Sequence, residues 1–232
     1  GKWAVWMTIL AAGSMAVRGE SIPDLIFVRI PASSQPISQA GDIPALPSDR
    51  YVDGMQIVRL SSGDPPEVTV LTPDFYSACD PAVSFDGKQI LFAGKKKAED
   101  YWQIWRMETD GSNPSLLVER PGDCVMPLFI GALFHLDDAS PALQIVFAGS
   151  EPGWTNEGGM GSAFALYTAQ LDGSRVTKIT YNLSSDYDPD ALPNGRIVFT
   201  RWRRPGTAGE APGGFHFLAV SNDGTDLLPY YG

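Results

Sequence analysis

The chain has 232 residues, 44% hydrophobic and 19% charged, which describes a globular protein with a sizeable core and excludes a disordered one. A net charge of −10 excludes the basic face that phosphate-backbone recognition needs, so nucleic acid is not an expected partner. The compact basic runs, Lys95-Lys96-Lys97 and Arg201-Trp202-Arg203-Arg204, each follow an apolar triplet and read as solvated loop charge.

The N-terminal "GKWAVWMTILAAGSMA" places a lysine before apolar residues 3–12, then small residues with Ser14 and Ala16 at −3 and −1 of a cleavage site. That is the layout of a secretory signal peptide over residues 1–16. Its apolar run is well short of the ~20 residues that span a bilayer. The expectation is an exported protein, periplasmic or extracellular, with no membrane span after cleavage. There is no initiator Met, and the chain reads as the N-terminal part of a longer one.

Export permits disulfides, and the cysteines are Cys79 and Cys124. Two thiols cannot build a zinc site alone, and no Cys-x-x-Cys-His is present to attach haem. Cys79 lies two residues before Pro81 and Cys124 three before Pro127, so on equivalent strands their side chains are one position out of register. Free, buried thiols are expected, with a disulfide between neighbouring strands as the alternative.

After the leader, the apolar segments are short, β-branched and aromatic, and bounded by Gly, Pro, Asn or Asp, which is the pattern of strands. A first, loose unit runs from Leu25-Ile26-Phe27-Val28 through a Pro- and Ser-rich loop to Met55-Gln56-Ile57-Val58-Arg59 and then Val68-Thr69-Val70-Leu71. The next stretch, "DPAVSFDGKQILFAG" at residues 80–94, recurs as "DPDALPNGRIVFTR" at residues 188–201. Between them "GDCVMPLF" and Ile145-Val146-Phe147-Ala148-Gly149 form a degenerate copy, with an insertion at residues 132–142 in place of a tight turn. Each copy is followed by a second landmark: "IWRMETDGSNPSLL", "LYTAQLDGSRVTKIT" or "FLAVSNDGTDLL".

The unit is therefore four strands long. An Asp-Pro strand leads through an Asp-Gly or Asn-Gly hairpin to an apolar strand, then through a variable loop to a third strand and a second Asp-Gly hairpin. Phe92, Phe147 and Phe199 are spaced 55 and 52 residues apart, slightly above the roughly 40–50 of propeller blades. The fold class is all-β, a β-propeller of about four four-stranded antiparallel blades over residues 24–232, imperfect in the first and third. The ring is expected to be partial, with an apolar blade face left open.

"DPAVSFDGKQILFAG…IWRMETDGS" resembles the TolB-type propeller repeat: Asp-Pro, two residues, Ser-Pro-Asp-Gly-Lys, an apolar strand and a later Asp-Gly-Ser hairpin, with Phe85 standing in the proline position. More narrowly, "LIFVRIP", "DRYVDGMQIVRL" and the closing "DGTDLLPYYG" make residues 24–232 similar to the propeller of proteins related to the hydrazine synthase alpha subunit. That resemblance implies a propeller accompanied by c-type haem domains that carry redox chemistry. No haem-binding residue carries over to this chain, so haem c is implied only with a domain downstream.

Candidate sites are few. Asp186, Asp188 and Asp190 alternate in "SSDYDPDAL", which on an extended strand puts them on one side, and with Asp80 and Asp123 they mark the strand entries. Such an acidic ring offers oxygen ligands for Ca²⁺, whereas the Asp of each Asp-Pro also reads as a cap on backbone amides. Trp102, Trp154 and Trp202, with Tyr101 and Trp105, lie in or beside loops and offer stacking faces for a ligand, with core packing the default for Trp105. His135 beside Asp137 and Asp138, and His216 between two phenylalanines, read as a loop and a strand-edge residue. No nucleophile elbow or phosphate loop is present. The leading expectation is a scaffold or binding module for a protein partner or small ligand at the propeller face. The alternatives are the propeller part of a multi-haem oxidoreductase, and a carbohydrate-binding or hydrolytic propeller.

Overall fold

The computed structural model describes residues 23–32, 50–133, 142–156, 161–202 and 214–231. The signal segment 1–16, His135, Asp137 and Asp138 lie outside the described residues. Among those described there is no α-helix, and the strands form four antiparallel sheets, each a meander in chain order. Blade 1 has β1 (Leu25–Arg29), β2 (Gln56–Leu60) and β3 (Val68–Val70). Blade 2 has β4 (Ser77–Val83), β5 (Gln89–Lys95), β6 (Gln103–Glu108) and β7 (Ser115–Val118). Blade 3 has β8 (Cys124–Leu133), β9 (Ala142–Thr155), β10 (Ser162–Gln170) and β11 (Thr177–Lys178). Blade 4 has β12 (Ser185–Ala191), β13 (Ile197–Trp202), β14 (Phe215–Val220) and β15 (Leu228–Tyr231). Among the described residues the expected unit is present three times with four strands and once with three, and the four sheets do not close into a ring.

The apolar triplets become intelligible once the sheets are stacked. In β5, Ile90, Leu91, Phe92 and Ala93 are consecutive and all fully buried. Ile90 and Phe92 pack with Ile57, Leu71 and Phe75 of the blade 1 side. Leu91 joins Ile145 and Phe147 of blade 3 on the other side. A sheet sandwiched between two others needs apolar residues on both faces, so the period-2 alternation of a half-solvated strand disappears.

The two kinds of hairpin glycine do different work. Gly87 and Gly195, in the turns between first and second strands, have φ of +71° and +82° with open space around them. Gly111, Gly173 and Gly224, in the turns between third and fourth strands, also have positive φ but press on the previous blade. A Cβ on Gly173 would sit 2.1 Å from the carbonyl oxygen of Leu117, and one on Gly224 3.2 Å from that of Ile179. The preceding aspartates fasten these turns: the Ser112, Ser174 and Thr225 amides donate to Asp110, Asp172 and Asp223 at 2.8–3.0 Å. Hydrogen bonds from Ser112, Ser174 and Thr225 hold these three carboxyls below the usual carboxylate range. Phe85, in the position of the repeat's usual proline, is 81% exposed on its turn, which is why the exchange is harmless there.

Asp-Pro marks a β-bulge. Cys79 pairs with Ala93 and Ala82 with Leu91, so β4 carries one residue more than β5 across this step. The same shift separates Val125 from Leu128 and Tyr187 from Asp190. The bulged residue is left-handed in all three blades: φ is 51° at Asp80, 55° at Met126 and 51° at Asp188. Asp tolerates that region better than most residues, and the proline behind it leaves no N–H unpaired in the broken ladder. The degenerate copy thus keeps the geometry with Met-Pro.

Both cysteines are free and buried, as the register offset predicts. Cys79 lies in the cluster with Ala93, Val125 and Met126, and Cys124 in that with Ile145 and Phe147. Burial pushes the Cys79 thiol well up and that of Cys124 up to about 11. Native protein should therefore leave both thiols unmodified by a thiol reagent at pH 8, with two equivalents reacting after denaturation. Reaction of either thiol in the folded protein would contradict their placement.

The glycines supply a sharper test. Gly87→Ala should cost about 1–2 kcal/mol, the left-handed strain alone. Gly173→Ala adds the collision with Leu117 and should cost roughly 2–5 kcal/mol in all, read from denaturant unfolding.

Candidate functional site

The inner strands β4, β8 and β12 lie side by side along the propeller axis, which brings their bulges together. The left-handed residues of blades 2 and 3 each cap the backbone of the following blade. The Met126 N–H donates to Asp80 Oδ2 at 3.0 Å, and the Asp188 N–H points at Met126 Sδ at 3.3 Å. The Tyr51 hydroxyl, from the segment before β2, donates to the same Asp80 oxygen at 2.7 Å. The Asp188 carboxylate closes the series by receiving both terminal nitrogens of Arg50, at 2.6 and 3.0 Å, from blade 1's side of the axis.

Electrostatics grade these contacts. Burial pushes the Asp80 carboxyl up, opposed by the Tyr51 and Met126 hydrogen bonds. Burial and the neighbouring Asp80 push Tyr51 well above the usual phenol range, and burial pushes Tyr187 up to about 12. The Asp188 hydrogen bond raises Arg50 further. Yet the Arg50 and Asp188 side chains are 46% and 40% exposed, and such a pair is worth about 0–1 kcal/mol after solvent screening. The Asp80 end of the network is part-buried, and the Asp188 end is a half-exposed, weak ion pair.

The three alternating aspartates do not converge. Asp186 pairs with Arg201 across the sheet and Asp190 with Val198, which are three residues apart on β13 and so on opposite faces. The bulge at Asp188 inverts the alternation. Asp186 is fully buried and receives Arg201 Nε and Nη2 at 2.7 Å each, together with Asn182. Asp190 receives the Ala191 amide. Asp123 receives the Trp102 amide. Among the described residues no group of three His, Cys, Asp or Glu side chains is arranged to hold a metal ion.

Among the three tryptophans, Trp102 and Trp202 are buried in the core, at 7% and 4% exposure, so neither ring face is open to stacking. Trp154 is exposed, but Lys178 Nζ sits 4.8 Å from its ring centroid and is ion-paired to Glu151. Trp105 is half-buried, its Nε1 donating to the Gly94 carbonyl. His216 is exposed on β14.

Next to the axial network, the Tyr51 and Trp102 rings meet at 5.3 Å, and Lys95 Nζ lies 5.3 Å from the Trp102 ring and 3.0 Å from Asp53. Lys95 also borders a cavity of about 650 Å³ lined by Lys96, Tyr101, Gln103, Trp105 and Arg120, with Glu99, Asp100 and Glu119 at its edge. The β5–β6 loop and the β7–β8 connection build it, at the blade end opposite the Asp-Gly turns. Charges of both signs line it beside Trp105, whose ring already meets Lys96 Nζ at 5.2 Å and Phe75 at 4.9 Å, so the recess suits a polar ligand. Arg50, Tyr51 and Met126 were not found by sequence reasoning. Met126-Pro127 repeats the X-Pro step, and Arg50 and Tyr51 lie in "DRYVDGMQIVRL", which carries the family resemblance but no signal of their partners.

Asp80 offers a pH test with a definite sign. A carboxyl raised by burial contributes stability that is complete below its unfolded pKa and is lost as pH rises through its folded one. Asp80→Asn keeps an oxygen to accept from Tyr51 and Met126 but cannot ionise. Relative to wild type, it should gain stability between pH 4 and pH 7. Asp80→Ala should lose about 1–3 kcal/mol at both, leaving buried donors unmet. A wild-type-minus-Asn difference that does not change over this range would refute the assignment.

No family model matches the chain. Hydrazine synthase subunit alpha of Kuenenia stuttgartiensis is 28% identical over 271 aligned residues, covering 99% of this chain and 32% of that protein. The solved hydrazine synthase of the same organism superposes with a TM-score of 0.74 at 26% identity, over 91% of this chain and 32% of that one. A putative TolB from Agrobacterium tumefaciens superposes at 0.54 with 19% identity, covering 76% and 56% of the two chains. TolB from Acinetobacter baumannii also gives 0.54, at 16% identity over 89% and 40%. The last two are similar in fold alone. This chain thus spans about a third of the hydrazine synthase relative. Its fold is that of the TolB-like β-propellers, and over 99% of its length its sequence is similar to that of the hydrazine synthase alpha subunit.

Proposed function

We propose that this chain is an exported propeller scaffold, part of a larger protein related to the hydrazine synthase alpha subunit, whose loop-bearing face receives a protein partner or small ligand. One observation carries the scaffold reading. The carboxylates at the strand entries are each engaged in holding the structure together: Asp80 to Met126 and Tyr51, Asp123 to the Trp102 amide, Asp186 to Arg201 and Asp188 to Arg50. Polar groups placed this way preserve blade geometry, and their engagement leaves the 650 Å³ cavity beside Lys95 as the recess for a ligand. The leader-like residues 1–16 support export.

A second reading draws on the 28% identity to hydrazine synthase subunit alpha. In it the full protein is an oxidoreductase whose haem domain lies outside these residues, with this propeller positioning it. The purified full-length protein from its native source would then show a haem Soret band and covalently attached haem after denaturation. A colourless full-length protein would leave the scaffold reading in place.

Export is tested by fusing residues 1–23 to an alkaline phosphatase lacking its own leader, an enzyme active only outside the cytoplasm. Activity on intact cells is expected, with the processed protein beginning at Val17. A cytoplasmic, unprocessed and inactive fusion would rule out the export part of the proposal.

A further inference from the structure

Blades 2 and 3 fill one equivalent position in opposite ways. The strands ending in Gly94 and Gly149 align the two blades, and pairing carries the alignment outward. Trp105 lies opposite Phe92 and Tyr167 opposite Phe147; next, Leu116 lies opposite Trp105 and Lys178 opposite Tyr167. Residues directly opposed share a face of the sheet, so Leu116 and Lys178 extend over equivalent rings. In blade 3 that place holds an ammonium. Lys178 Nζ lies 4.8, 5.6 and 5.8 Å from the ring centroids of Trp154, Tyr181 and Tyr167, and 3.1 Å from Glu151. Ring faces and a carboxylate around one nitrogen are the surroundings that favour a partly desolvated cation. In blade 2 the Leu116 side chain is uncharged and too short to reach as far. The cavity of about 650 Å³ opens there, with Leu116 and Trp105 both in its wall.

Which of the lining charges are already engaged decides what the cavity accepts. Lys95 is held by Asp53 at 3.0 Å, and Lys96 by the Asp74 carbonyl at 3.4 Å and the Phe75 ring at 3.6 Å. The Arg120 guanidinium lies 3.8 Å from the centroid of the Tyr167 ring. Glu99 and Glu119, both exposed in the cavity wall, have no ion-pair or hydrogen-bond partner among the described residues. The free charge is therefore negative. An anion entering the recess meets two unpaired carboxylates, whereas a cation meets them as Lys178 meets Glu151. Lys96 stands two residues after its glycine, as Glu151 does, and is the charge that a cation near Trp105 must tolerate.

We propose that the blade 2 recess binds an alkylammonium group, carried by a small amine or by a lysine side chain of a protein partner. Glu99 and Glu119 hold the group beside Trp105, as blade 3 holds its own Lys178. The proposal rests on the reading of this recess as the ligand site, and it adds the charge and chemical class of the ligand.

The test titrates the full chain with n-butylammonium, which reproduces the end of a lysine side chain, and with butyrate, an anion of the same length. The indole N–H of Trp105 is followed by NMR. Butylammonium should shift this signal saturably and butyrate should not. Glu99→Gln and Glu119→Gln should each weaken binding by about two- to fivefold, and Lys96→Gln should tighten it by a similar factor. Leu116→Lys, at an exposed position that tolerates the change, should abolish binding by supplying the ammonium from the chain itself. A blocked Gly-Lys-Gly peptide separates the sources. Binding at least as tight as that of butylammonium assigns the group to a partner's lysine, and weaker binding assigns it to a small amine. Butyrate binding in place of butylammonium overturns the proposal but keeps the recess as the ligand site. Binding of neither overturns the proposal and counts against the recess as well. Unchanged affinity in both Glu variants, or weaker binding in Lys96→Gln, overturns the placement of the ammonium.

Discussion

Four consecutive residues of β5, Ile90 to Ala93, are all fully buried, and that is only satisfied by a packed layer on each side of a thin sheet. The other features serve that stacking. A four-stranded sheet of this size cannot hide both faces by itself, so blades exist only as neighbours and the molecule is a row of interfaces before it is a set of sheets. The Asp-Gly turns show the principle at backbone level. Gly111, Gly173 and Gly224 lie against Leu71, Leu117 and Ile179 of the preceding blade, so the turn that ends one blade is fitted to its neighbour.

At the axis the same demand takes a polar form. Bulging each inner strand at an X-Pro step frees a backbone N–H and a side chain at one height, and the side chain of one blade then satisfies the amide of the next. A buried donor without an acceptor would cost about 1–3 kcal/mol, so this series is a condition for closing the inner ends of the blades. Where Met126 replaces Asp, sulfur still serves as a weak acceptor and the geometry is retained. The strand-entry carboxylates are accordingly engaged within the structure, and Lys95, Trp105 and Arg120 line a cavity at the loop ends of the blades.

The similarity to the hydrazine synthase alpha subunit extends over 99% of this chain, and the propeller's own requirements are met by hydrogen bonds between its blades.

The repeat, the hairpins and the all-β class were legible in the sequence because each rests on local rules: Asp-Gly and Asn-Gly demand positive φ, and apolar triplets at a regular spacing demand burial. The cysteine offset was legible for the same reason, since strand parity counts residues. Parity failed at Asp186, Asp188 and Asp190, because the bulge inserts one residue and sends the flanking carboxylates to opposite faces. Nothing local distinguishes an Asp-Pro that bulges from one that continues a strand. Trp102 and Trp202 read as surface rings from their place beside loops, yet packing from other blades buries them. Arg50 reaches Asp188 across 138 positions of chain, and Tyr51 reaches Asp80 from another blade. Local residue chemistry settled the blade; which side chains meet between blades depended on how sheets distant in the chain were stacked, and only the tertiary structure decided that.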